Sequence, residues 1–67
     1  MNIEELLKKP YLDEREVSLI TGRALPTLRN DRFYRRGIPY LKVGSKTVRY
    51  KPQDVIEFME RSRVTFG

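Results

Sequence analysis

Along this chain the spacing of apolar side chains shifts from the 3.6-residue rhythm of helices to the alternation of strands and back again. Ile3, Leu6 and Leu7 fall at i, i+3 and i+4, with Glu4 and Glu5 in the first turn and Lys8 and Lys9 in the last, which predicts a short helix from Ile3 to Lys9. Pro10 ends it. Asp13 and Glu16 stand three residues apart, the spacing of a reciprocal capping box. A second helix is therefore expected from about Glu14 to Ile20, with Val17, Leu19 and Ile20 on its buried side. Gly22 stops it by taking the left-handed backbone that a tight exit from a helix demands. Pro26 suits the first turn of a third helix, where its missing N–H does no harm, and Thr27 to Phe33 continue that helix with Leu28 as inward anchor.

Gly37-Ile38-Pro39 breaks the third helix and leads into Tyr40-Leu41-Lys42-Val43, read as a short strand with Leu41 and Val43 on one face and Lys42 on the other. Gly44 to Thr47 form a turn, and Val48-Arg49-Tyr50 return with Val48 and Tyr50 inward and Arg49 outward. Two strands are marginal alone, so this hairpin is expected to pack on the helices through Leu41, Val43, Val48 and Tyr50. Pro52 opens a last helix to about Arg61, whose apolar stripe is Val55, Ile56, Phe58 and Met59. Tyr11, Tyr40, Tyr50 and Phe58 are assigned to the core rather than to a stacking platform for single strands. The expected organisation is mainly α with a small β-hairpin. A short helical extension occupies 1–10, one domain 11–61, and a frayed tail 62–67.

Composition narrows the chemistry. The chain has 67 residues with 39% hydrophobic and 34% charged, a balance that suits one small folded domain. A domain this small buries only about 60% of the surface its unfolded chain exposes, so a deep substrate cavity is not expected. It contains no Cys and no His. Disulfides, thiol nucleophiles and imidazole acid/base chemistry are thereby excluded, and no metal or cofactor is expected. Asp13, Glu14 and Glu16 resemble paired carboxylates but sit at a helix start, so the chain is not expected to be an enzyme. No apolar run approaches a membrane span, and Met1-Asn2-Ile3-Glu4-Glu5 is acidic where a signal peptide would be basic. The expectation is a cytoplasmic protein without membrane association.

The net charge of +5 is unevenly spread. Residues 1–16 hold five acids against three bases, and residues 54–67 three acids against two bases. Residues 17–53 hold nine bases, Arg23, Arg29, Arg32, Arg35, Arg36, Lys42, Lys46, Arg49 and Lys51, against the single acid Asp31. A basic centre between mildly acidic ends is the footprint of a surface that meets phosphates.

Helix, glycine turn, helix, basic hairpin and helix in that order read as a small winged helix-turn-helix. The chain resembles the winged-helix domain of the excisionase and MerR-like families, which include small regulators of phages and mobile elements. The resemblance is carried by Tyr11-Leu12-Asp13-Glu14-Arg15-Glu16-Val17, Gly22, Thr27-Leu28-Arg29, Gly37-Ile38-Pro39-Tyr40-Leu41-Lys42-Val43-Gly44, Val48-Arg49-Tyr50 and Asp54-Val55 through Phe58, over about residues 11–61. It implies double-stranded DNA binding, either as an excisionase that shapes a recombination site for an integrase or recombinase, or as a small transcription regulator acting on RNA polymerase. It further implies a nucleoid-associated location in a bacterium or phage. Relatives often carry Ser where Ala24 stands, an aromatic where Asp31 stands and Gly near Arg35. The second helix of the motif is thus expected to start without a side-chain cap, and Phe33 to take over a core role.

In such a fold the second helix of the motif enters the major groove. Thr27, Arg29, Asn30, Arg32 and Phe33 then project outward or to the flanks, Arg29 with a fork for guanine O6/N7 and Asn30 with an amide for adenine N6/N7. Asp31 is expected to pair with Arg35 at i, i+4. Ser45, Lys46 and Thr47 at the hairpin tip, and Arg49 on its outward face, are candidates for phosphates or an adjacent minor groove. Arg23, Arg35 and Arg36 flank the helices as phosphate clamps. Without a long heptad pattern the chain is expected to be a monomer that assembles cooperatively on DNA. The competing class is a protein-interaction accessory module that uses the same scaffold without DNA; the Ile3 to Lys9 helix, which lies outside the resemblance, is open to such contacts but is expected rather to cover an exposed edge of the core.

Overall fold

The computed structural model describes residues 2–65 and contains four helices and one two-stranded antiparallel hairpin. Helix α1 spans Ile3–Leu7, α2 Glu14–Thr21 and α3 Leu25–Phe33. Strands β1 (Leu41–Val43) and β2 (Thr47–Arg49) precede α4, Pro52–Arg61.

Local signals set most of these boundaries. Asp13 and Glu16 form the full capping box at α2: the Glu16 N–H donates to Asp13 Oδ1 at 2.9 Å and the Asp13 N–H to Glu16 Oε1 at 3.0 Å. Gly22 closes α2 in the left-handed region at φ 76°, and the turn beyond it is laced by Ser18 Oγ donating to the Arg23 carbonyl at 2.7 Å. Helix α3 begins at Ala24 without a side-chain cap, as its sequence implied. At its other end the Arg36 N–H reaches the Asp31 carbonyl at 2.9 Å and the Arg35 N–H the Arg32 carbonyl at 3.1 Å. This is a Schellman exit, and the residue in its left-handed position is Arg35 at φ 54°, not a glycine.

The core is Leu6, Leu12, Val17, Leu28, Ile38, Tyr50 and Val55, with Ile20, Leu25, Val48 and Phe58 packed at its edge. Helix α1 therefore covers the core through Leu6, although it stops at Leu7, short of the expected Lys9. Leu12 and Tyr50 exchange two backbone hydrogen bonds of 2.8 Å, which fasten the approach to α2 onto the end of β2.

Several expected core positions lie elsewhere. Leu19 is 67% exposed, because two residues from Val17 is about 200° around a helix. Of the four apolar residues expected to form the α4 stripe, Val55 and Phe58, three apart, turn inward, while Ile56 and Met59 remain exposed. The hairpin register pairs Leu41 with Arg49, Lys42 with Val48 and Val43 with Thr47. Directly opposed residues share a face, so Leu41 and Val43 lie with Thr47 and Arg49 and away from half-buried Val48. Leu41 and Val43 are accordingly 36% and 58% exposed rather than packed on the helices. Tyr11 and Tyr40 are also exposed, and Phe33 does not enter the core at 78% exposure. Ser62 and Arg63 hydrogen-bond back onto the last turn of α4. The remainder of the tail expected to fray includes residues 66 and 67, which lie outside the described residues.

Candidate nucleic-acid interface

Helix α3 and the hairpin frame two adjoining concavities. One, of about 450 Å³, is lined by Asp13, Glu14, Arg29, Arg32, Lys46, Thr47, Val48 and Arg49. The other, of about 410 Å³, is lined by Arg29, Arg32, Phe33, Tyr40, Lys42, Ser45, Lys46 and Val48. Five cations from three elements and the turn between strands thus converge on a continuous surface: Arg29, Arg32, Lys42, Lys46 and Arg49.

Their environments differ. Arg32 is largely withdrawn, at 16% side-chain exposure, and donates through Nη1 to the Tyr50 hydroxyl at 2.7 Å and through Nη2 to Glu14 Oε1 at 3.1 Å. It is a structural strut rather than a free flanking base. Burial acts to lower the Arg32 pKa, yet its bonds to Tyr50 and Glu14 prevail and raise it. The Tyr50 hydroxyl is pushed up, with burial outweighing the Arg32 hydrogen bond. Arg29, 57% exposed, donates to Glu14 Oε2 at 2.6 Å through Nη2 and to Oε1 at 3.3 Å through Nε. These contacts with Arg29, joined by the bond from Arg32, hold the Glu14 carboxyl below the usual range despite desolvation. Thr27 and Asn30 are exposed on α3 but line neither concavity. Lys46 and Thr47 are exposed at the hairpin tip, and the Arg49 guanidinium donates to the Val48 carbonyl at 2.8 Å.

Arg23, Arg35 and Arg36 are not gathered there. Asp31, buried at the back of α3, accepts from Arg23 Nη2 and, at 3.2 Å, from Arg36 Nε. The expected Asp31–Arg35 pair does not form, because α3 ends at Phe33 and Arg35 leaves the helical path. Burial works to raise the Asp31 carboxyl, and the bonds from Arg23 and Arg36 overcome it and hold the pKa below the ordinary value. Arg23 also lies over the Phe58 ring at 5.5 Å, and Arg36 over Tyr34 at 5.2 Å. Arg35 and Arg36 border a separate concavity with Gly37, Ile38, Pro39 and Tyr40.

Reading the sequence missed Glu14 and Lys42 as members of the site. Lys42 carried a usable signal, since it alternates with Leu41 and Val43 on the strand. Glu14 carried none, because its partner Arg29 is 15 residues away on another helix.

Among the described residues no helix is long and apolar enough to cross a membrane, and no cluster of acidic side chains is arranged to hold a metal ion. No protein-family model, curated protein or solved structure matches this chain.

Proposed function

We propose that the chain is a winged helix-turn-helix protein that binds double-stranded DNA and reads its sequence, with α3 in the major groove and the hairpin on the backbone or the adjacent minor groove. The observation that carries this reading is the convergence of Arg29, Arg32, Lys42, Lys46 and Arg49 on one surface between helix and hairpin. Glu14 offsets part of this charge through Arg29 and Arg32, and the excess that remains with Lys42, Lys46 and Arg49 suits a polyanion such as DNA, which presents one negative charge about every 1.7 Å of axis. The role is that of an excisionase or a small transcription regulator of a mobile element. Both roles need the same surface and differ in target site and protein partner. The activity is binding, with no catalytic step.

The test is selection from a pool of random duplexes at two salt concentrations, with sequencing of the bound fraction. One enriched motif with steep salt dependence is the expected result. Repeated close copies of the motif favour the recombination role, and absence of binding at low salt overturns the reading.

A second reading, a protein-interaction module, draws on the other face of the hairpin. Tyr11, Leu41, Val43 and Arg49 line an almost wholly apolar concavity of about 230 Å³ there. It becomes the leading reading if the duplex selection fails.

A further inference from the structure

Four polar side chains form a line from the core to the surface. Tyr50 is buried at 1% exposure, and its hydroxyl accepts from Arg32. Arg32 donates to Glu14, and Glu14 accepts twice from Arg29. Side-chain exposure rises along the last three, from 16% at Arg32 through 23% at Glu14 to 57% at Arg29. Each member is fixed by a less exposed one, so an arginine that would otherwise sample many rotamers is held from behind.

The way Arg29 is held leaves a specific part of it free. A guanidinium has five N–H donors arranged in a planar fork. Glu14 occupies the Nε and Nη2 side. Arg29 Nη1 has no protein partner among the described residues, so the Nη1–Nη2 end keeps two parallel donors. Those match the O6/N7 acceptor pair of guanine. The carboxylate behind them also opposes approach of a phosphate to this arginine, whereas Lys46 and Arg49 in the same concavity have no carboxylate bonded to them among the described residues.

We infer that Glu14 is a specificity-determining positioning residue, which clamps Arg29 as a guanine reader and keeps it from serving as a general phosphate contact. The inference rests on the DNA-binding reading above and adds to it a named base, a named reader and a second residue acting through that reader. It divides the surface into two chemistries: Arg29 with Glu14 for a base edge, and the hairpin cations for the backbone.

The experiment compares the wild type, Glu14→Gln, Arg29→Lys and the double variant on the selected duplex and on duplexes with each guanine replaced in turn. Thermal unfolding establishes that each variant is folded. Arg29→Lys keeps the charge and loses the fork, so it should abolish preference at one guanine. Glu14→Gln should lower preference at that same guanine about tenfold while binding unrelated duplex more tightly and with a steeper salt dependence. In guanine preference the double variant should match Arg29→Lys alone, because Glu14 acts on that preference through Arg29. Glu14→Asp, which keeps the carboxylate, should retain most of the preference and supplies the test if Glu14→Gln does not fold. Full guanine preference in Glu14→Gln, or additive losses in the double variant, would overturn the inference and leave DNA binding standing. A wild type that enriches no motif overturns the DNA-binding reading and the inference together.

Discussion

Gly37 lies so close to Asp31 that a Cβ at position 37 would stand 2.9 Å from Asp31 Oδ2 and 3.2 Å from Asp31 Cβ. Gly37 also has φ +80°, where a side chain is strained regardless of space. The carboxylate it abuts is the one that holds Arg23 and Arg36, so the loop after α3 and the ion-pair cluster are a single packing unit. Gly37→Ala should therefore destabilise the fold by about 1–3 kcal/mol, measured by urea unfolding. An unchanged midpoint would show that the contact relaxes freely.

Removing the carboxylate tests the same cluster from the other side. Asp31→Ala takes from Arg23, whose Nε is already buried without a partner among the described residues, the carboxylate it is paired with. Arg36, with 62% side-chain exposure, can turn to water at little cost. A loss of about 1–3 kcal/mol is expected, and Arg23→Ala added to it should cost less than it does in the wild type.

Arg35 points in the opposite direction. It occupies the left-handed position of the Schellman exit from α3, which glycine takes without steric penalty. Arg35→Gly should raise stability by about 0.5–1 kcal/mol, after the larger unfolded-state entropy of glycine is allowed for. The readout is the shift in thermal midpoint; a fall would mean that the Arg35 side chain contributes more than its backbone strain removes.

On DNA the two kinds of contact should separate. Asn30→Ala should relax sequence preference at one position. Lys46→Ala should weaken all duplexes about equally and reduce the salt slope by about one. Equal behaviour of the two variants in salt-dependent titrations would contradict the placement of α3 against base edges.

Glu14, Glu16 and Asp31 all have folded pKa values below their ordinary ones. For Glu14 the leading cause is the hydrogen bond from Arg29; for Glu16 and Asp31 burial opposes the shift, but hydrogen bonds from Lys9 and Asp13, and from Arg23 and Arg36, exceed it. A depressed carboxyl means that the unfolded chain binds more protons in the acid range. The stabilisation is thus fully present above the unfolded values of about 3.9 to 4.3 and disappears as pH falls through the lower folded ones. Thermal midpoints should hold from pH 7 to about 5 and drop progressively below about 4. In Glu14→Gln the drop should be shallower.

What could be read from the sequence follows the range of the interaction. Asp13 with Glu16, Gly22, and Pro52 act within one turn of themselves, and each ended or began an element where expected. Leu41 and Val43 were assigned to the correct shared face but the wrong side of the hairpin. Alternation reports that two faces exist, while pairing with Arg49 and Thr47 decides their company. The Asp31 partners were missed because i, i+4 spacing presumes a helix that continues, and this one ends at Phe33. Arg32 was expected on an outward flank, and its attachment to Tyr50, 18 residues away, has no local signature.

The two backbone bonds between Leu12 and Tyr50 join residues 38 positions apart in the chain. They close a ring that contains α2, α3 and the hairpin, leaving α1 and α4 attached outside it. These two amides, buried and bonded to each other's residues, are released only when the ring parts. Leu12 and Tyr50 should therefore be among the last protons to exchange with deuterated solvent, and their exchange rate reports the free energy of unfolding the whole domain.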